Sequence, residues 1–519
     1  MNTVARVILE NGVVRTLEPS LPTAGALAIA GERIAGGVGT HETALASPEV
    51  VDLRGRCVLP GFTDAHVHFP TWALAQAEVR LEDTRTVEEA VARVRNALPG
   101  VRPGGWLRGR GWRSGDWTPA VEPSRELLDA IAPGVPVALM ARDSHSVWLN
   151  SAALARAKDD LRVPGGVVEV DAGGQPTGVL REESCWHFRD RYLEITDDEY
   201  VDAMRRGVRL ASSRGVVAVH DKDGWLVALR FWQRLRERDG SSLRVWQSLP
   251  HELVGELEAA GVRSGLGDDY LRVGYLKAFM DGTLGSQTAR LLDGSGVQIT
   301  SREELEEIVR RGARAGFPVA VHAIGDLANR EALDAFEATK DAWLPLGLRH
   351  RIEHAQLLRH EDVLRFSRLG IAASVQFTHA TSDRDLAERF WADATNRAYA
   401  FRSLWDAGAL LANGSDAPIE ELDPWLGVCA GVRRTWDERE PWHPEQALTL
   451  EQALLATCVA PAWLSGDERR RGKLLPGFLA DLVVLDRDPF ELRADELPDV
   501  RVVATMVGGR WVHNPPPWD

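Results

Sequence analysis

Hydrophobic and polar positions follow two different periods along this chain, and the change of period divides it. Over the first 57 residues, short β-like runs are separated by turn residues: Val4 to Leu9, Ala26 to Ala30, Arg33 to Ala35 after Gly31, and Val50 to Leu53. The same texture returns at the other end. There Ala480 to Asp486 and Val500 to Val507 flank a polar link, and Gly508-Gly509 turns into Arg510 to Val512. Both ends predict strands, and the simplest arrangement is one small β-sandwich built from residues 1–57 and 471–519. A large domain, residues 58–470, is then inserted between its halves.

Within 58–470, short apolar runs alternate with helical stretches. Ser301 followed by Glu304 fits a capping box that opens one of these helices. Eight runs read as strands: Val58 to Phe69, Val216 to Asp221, Leu243 to Trp246, Val273 to Phe279, Val319 to His322, Arg351 to His354, Ile371 to Val375 and Leu410 to Asp416. Strand-helix alternation points to a parallel α/β architecture, and eight strands suit a (β/α)8 TIM barrel. A ninth run, Val135 to Asp143, is assigned with residues 70–205 to an insertion after barrel strand 1.

Composition narrows the function classes. With 44% hydrophobic and 26% charged residues, the 519-residue chain is globular and supports a large core. Its formal charge of −15 is spread along the sequence, which argues against a nucleic-acid partner. No apolar run reaches ~18 residues and Met1 to Glu10 lacks the apolar region of a signal peptide, so a cytoplasmic protein with no membrane partner is expected. Cys57, Cys185, Cys429 and Cys458 show no paired spacing and read as buried free thiols. Lysine is scarce: only Lys158, Lys222, Lys277, Lys340 and Lys473 occur among 61 basic residues.

The chemistry-bearing residues fall at strand ends. His66 and His68 alternate in the first barrel strand and so present two imidazoles on one side. His322, His354 and Asp416 also lie at carboxyl ends of strands, where barrel active sites form. Singly, each has an ordinary reading, the histidines as hydrogen-bonded core groups and Asp416 as a turn former before Pro418. Together they make a ligand set for a first-row metal, and without nearby thiolates a hydrolytic Zn2+ is favoured over a structural one. Lys277 interrupts an apolar strand with an ammonium that is costly to bury unpaired. Two readings stand for it: a salt bridge to Asp281 or another acid, or conversion by CO2 into an anionic carbamate able to bridge two metals, which arginine does not readily form.

At this point the chain resembles the amidohydrolase superfamily, with its first-strand His-x-His, fourth-strand Lys, fifth- and sixth-strand His and eighth-strand Asp. The segments Gly61 to His68, Asp281 to Ser286, Val321 to Asp326, Arg351 to Gln356, Gly414 to Pro418 and Gly472 to Asp486 are similar to its family 3 branch, which includes N-substituted formamide deformylases. The resemblance implies His66, His68, carboxylated Lys277, His322, His354 and Asp416 as the metal-site residues. It also implies one or two divalent ions, Zn2+ foremost, with a CO2-derived carbamate on Lys277. Gln287 stands where an Arg is expected, and Phe377 stands where a Pro is usual.

The expected reaction is hydrolysis of a C–N bond in an amide, formamide or cyclic amide. Asp416 would take a proton from water and deliver it to the leaving group, and a metal or a histidine, His322 or His354, would polarise the carbonyl. Ester hydrolysis or decarboxylation at the same site is the alternative, and a catalytically silent binding protein on the same fold is another. Trp112, Trp117 and Trp148 in the insertion read either as core or as an apolar wall over the site. Trp112, His145, Gln287 and His379 are the candidate substrate contacts, while His220, Asp221 and Asp383 stand behind them. The expected partner is a small apolar or aromatic molecule, with homo-oligomerisation left open.

Overall fold

The structure is a computed structural model that describes residues 7–35, 38, 49–76, 78–101, 104–141, 146–157, 160–193, 195–240 and 242–518. The chain divides into two compact units, Met1–Trp72 with Met204–Asp519, and Ala73–Ala203.

The larger unit is organised on eight parallel strands that neighbour one another in chain order: Phe62–Val67, Val216–Asp221, Arg244–Pro250, Leu271–Phe279, Val319–Ala323, Arg351–His354, Ala372–Val375 and Leu411–Asn413. Apart from Arg272 and Phe279, every residue in these strands is buried. Continuous apolar runs give this when helices cover one face of a sheet and the other face lines a filled interior. The eighth strand meets the first through Asp416 N, which donates to His66 O (2.7 Å), and His68 N, which donates to Ala417 O (2.9 Å). Ser415 N also donates to Asp64 Oδ1 at 3.0 Å. A β-carbon on Gly414 would lie 2.4 Å from His66 N, so this closure requires glycine. The result is the expected (β/α)8 barrel.

The strand expected over 58–69 is two strands. Cys57–Pro60 pairs antiparallel with Leu482–Leu485 and parallel with Val13–Arg15, inside a six-stranded sheet drawn from both termini. Only Phe62–Val67 enters the barrel. The break falls at Gly61, where a β-carbon would meet the Val217 side chain at 2.2 Å. A four-stranded sheet of Arg33–Ile34, Leu27–Ala30, Val7–Glu10 and Glu49–Asp52 completes the sandwich. Leu9, Ile29 and Val51 of the second sheet share a core with Val58, Leu482 and Met506 of the first. The third barrel strand continues to Pro250, beyond the expected Trp246, because Gln247 and Ser248 are buried as strand residues.

Helix Arg302–Ala315 forms with its capping box complete and ends at Gly316 in the left-handed region. All four cysteines are free and buried. Among the described residues, no helix is long and apolar enough to cross a membrane.

The unit Ala73–Ala203 holds a six-stranded sheet that includes the ninth run as Val137–Ala141. Trp112, Trp117 and Trp148 pack on one another in its core, with ring centroids 6.2–6.3 Å apart.

Candidate metal centre

The carboxyl ends of barrel strands one, four, five, six and eight bring His66, His68, Lys277, His322, His354 and Asp416 to one cavity of about 490 Å3. Asp416 is its hub. Oδ1 lies 3.4 Å from His66 Nε2 and 3.5 Å from His68 Nε2, and Oδ2 lies 3.9 Å from His379 Nε2 and 4.0 Å from His354 Nδ1. His354 (φ 74°) and Asp416 (φ 59°) both occupy the left-handed region, the kind of backbone strain that concentrates at functional sites.

Three imidazoles are held in the same tautomer from behind. His66 Nδ1 lies 2.8 Å from Glu353 Oε2, His68 Nδ1 lies 2.7 Å from Asp223 Oδ1, and His354 Nδ1 lies 2.9 Å from Gln376 Oε1. These oxygens only accept, so each Nδ1 carries the proton, and the Nε2 atoms of His66 and His68 keep their lone pairs toward Asp416. His322 is turned the other way: its Nε2 donates to Gly282 O at 3.0 Å, which frees Nδ1. Burial pushes His66 and His322 down to about 3 and His354 well below the usual histidine range, which favours neutral rings. For His68, burial acts downward but is outweighed by the hydrogen bond and charge of Asp223, and the net direction is upward.

Lys277 is 1% exposed and its Nζ has no hydrogen-bond partner. The salt bridge to Asp281 does not form, because that carboxylate accepts instead from the backbone N–H groups of Arg290, Ile324 and Gly325 at 2.8–3.0 Å. Burial drives the Lys277 amine below its ordinary pKa, against the opposing pull of Glu353 and Asp416.

The donor set fits a divalent cation. His66, His68 and Asp416 bring their ligand atoms within 4.8 Å of one another; His354, His379 and Asp416 come equally close, but His379 has no lone pair left for an ion. His379 differs from the other imidazoles, since its Nδ1 accepts from Gln356 Nε2 at 3.1 Å. Its Nε2 therefore carries the proton, and it is buried without a partner.

Not every sequence candidate arrives here. Gln287 is exposed on the loop after the fourth strand, and that loop lines the cavity through Thr283, Leu284 and Gly285 instead. Trp112, expected as a substrate contact, is 2% exposed in the core of its own unit, with its indole N–H donated to Leu139 O at 2.7 Å. His145 lies outside the described residues. His220 and Asp221 do not line the cavity: His220 Nδ1 accepts from Arg351 Nη1, and Asp221 accepts from Trp232 Nε1. Asp383 does line it and accepts from Tyr399 Oη at 2.7 Å.

The residues behind the imidazoles, namely Asp223, Glu353 and Gln376, escaped the sequence reading, as did Lys222 and Arg351 beneath Glu353. A signal was present. Arg351 and Glu353 are charged at alternate positions of a buried strand, and Lys222 is one of only five lysines.

The profile of the Amidohydrolase family matches residues 49–513. Protein LONG AFTER FAR-RED 3 of Arabidopsis thaliana is 31% identical, with 98% of this chain and 92% of that one aligned. N-substituted formamide deformylase of Arthrobacter pascens is 27% identical over 98% of each. Among solved structures, an uncharacterized metal-dependent hydrolase from Pyrococcus furiosus superposes with a TM-score of 0.77 at 29% identity, covering 93% of this chain and 100% of its own.

Proposed function

The chain belongs to the amidohydrolase family, and from that premise we propose that it hydrolyses a C–N bond of an amide, formamide or cyclic amide at a divalent-metal centre. His66, His68, His322, His354 and Asp416 would hold the metal, with Lys277 carrying a carbamate. The observation that carries this reading is the Lys277 amine, buried without a partner in the midst of four imidazoles and a carboxylate. Burial draws the Lys277 amine toward its uncharged form, the one that attacks CO2: its nitrogen bonds to carbon as one C=O π bond opens onto oxygen, one N–H proton leaves, and an anionic N-carboxylate remains. The new carboxylate supplies the acceptor oxygens that Nζ lacks.

A divalent ion bound here acidifies water and polarises a carbonyl. The remaining work falls to the chain. Asp416, pushed upward from the usual carboxylate range by burial and pulled back by His68, His379 and Lys277, takes the water proton on a carboxylate oxygen and passes it to the departing nitrogen. His379 Nε2–H donates to the carbonyl oxygen as it gains charge. Glu353, Asp223 and Gln376 keep the ligand tautomers unchanged throughout. The homologous formamide deformylase makes formamides the first substrates to try.

The test is metal content of protein purified with bicarbonate, combined with product analysis on a panel of formamides, amides, esters and carboxylic acids. Metal-dependent release of amine is expected. Turnover confined to esters, or loss of CO2 from the acids, would replace this reading.

A further inference from the structure

Part of the cavity wall is apolar. Phe279, Leu284, Ile324, Pro418 and Ile419 line it. Phe279 packs against the His322 imidazole, with centroids 5.4 Å apart, and its ring lies 4.9 Å from Lys277 Nζ. On its other side it meets the indole of Trp225, again at 5.4 Å. An aromatic path thus runs from the candidate ligands outward to Trp225, which is 44% exposed. Ile419, on the loop after the eighth strand, is 70% exposed. An apolar group laid against Phe279, Leu284 and Ile324 removes that part of the cavity wall from water. A group that both touches this wall and reaches the metal centre is a substituent of the substrate itself.

We infer that Phe279, Leu284 and Ile324, with Trp225 packed behind Phe279, form a specificity subsite for a neutral, apolar substituent of ring or short-alkyl size on the substrate's scissile group. This rests on the hydrolytic reading of the same site. A carboxylate in that position would lose its hydration against Phe279, Leu284 and Ile324, so anionic substituents are disfavoured.

The metal-loaded, full-length protein is assayed on formamides bearing methyl, butyl, phenylethyl or carboxymethyl on nitrogen. Expected is a rise in kcat/KM of ten-fold or more from methyl to butyl and phenylethyl, and a fall for carboxymethyl. Trp225→Ser, at an exposed position, and Phe279→Leu should each reduce the phenylethyl-to-methyl ratio at least three-fold. The same ratios are read by calorimetry with acetohydroxamate, phenylpropionohydroxamate and succinate monohydroxamate, whose binding needs the metal but no turnover. Formamide cleavage with a flat ratio, or a ratio unmoved by both substitutions, overturns the subsite and leaves hydrolysis standing. Selective hydroxamate binding without cleavage of any formamide retains the subsite and counts against hydrolysis. Absence of both binding and turnover removes the two together.

Discussion

Glu353 accepts the Nδ1–H of His66 at 2.8 Å, while its other oxygen lies 2.9 Å from Arg351 Nε and 3.1 Å from Lys222 Nζ. All four side chains are buried. Burial raises the Glu353 carboxyl, but Arg351, then His66 and Lys277, hold it well below the usual range. The tautomer of one candidate ligand is therefore set by a charge network inside the barrel.

Glu353→Gln keeps the shape and removes that charge. Metal affinity should fall roughly 10–100-fold, as for other carboxylates behind a ligating histidine. Stability should fall by about 3–5 kcal/mol because Arg351 and Lys222 lose their buried counter-charge. Metal titration and denaturant unfolding measure the two effects, and an unchanged metal dissociation constant would refute the orienting role.

Lys277→Ala should lower turnover on the order of 10²–10³-fold, with partial rescue by propionate, whose carboxylate enters the vacated space. In the unaltered protein, labelled bicarbonate should give a carbamate carbon signal that is absent in the variant. Full activity in Lys277→Arg would refute the carbamate, since a guanidinium does not carry one.

On the proposed roles, Asp416→Asn keeps an oxygen at the site and loses the proton acceptor. Metal content should stay within about two-fold while kcat drops roughly 10²–10⁴-fold. Retained turnover in the metal-loaded variant would mean that another group moves the proton.

The barrel is tied to the terminal sheet by Arg244, whose Nε and Nη2 donate to Asp481 at 2.7 and 2.9 Å, both groups buried. Burial raises the Asp481 carboxyl, but Arg244 and Arg471 bring it below its ordinary value in the folded state. A depressed folded pKa stabilises above the unfolded pKa, near 4, and is lost as pH falls through the folded value. Asp481→Asn should therefore cost about 3–5 kcal/mol at pH 7, and the gap to the unaltered protein should narrow below about pH 4. Urea unfolding across pH measures this, and a gap independent of pH would remove the assigned cause.

Trp112→Ala should destabilise its own unit by roughly 3–5 kcal/mol, the cost of emptying a packed aromatic site. Hydrogen exchange in the full chain should show faster exchange within residues 73–203 while metal content is unchanged.

The fold was largely legible because a parallel barrel strand is buried on both faces and reads as an uninterrupted apolar run. Five of the eight runs coincide with their strands to within two residues at each end, and a sixth, Leu410 to Asp416, pairs as a strand only to Asn413, after which Ser415 and Asp416 bond to the first strand. The exceptions have local causes: Gly61 ends a strand where Val217 leaves no room for a side chain, and Gln247 and Ser248 extend one with polar residues. The convergence of His66, His68, Lys277, His322, His354 and Asp416 was legible too, since each stands at the end of a run and barrel ends meet on one face.

What the sequence determined by itself is the identity and placement of groups whose position follows from backbone periodicity. Tertiary structure alone decided the contacts made across the barrel between residues distant in the chain. Glu353 reaches His66 over 287 positions, Asp223 reaches His68 over 155, and Trp225 leans on Phe279. Gln287 and Trp112 both stood among the candidate contacts, and one faces solvent while the other fills a core. Periodicity tells which side of an element a residue faces, but not which distant side chain stands opposite it, and that pairing sets each imidazole's tautomer and the character of the cavity wall.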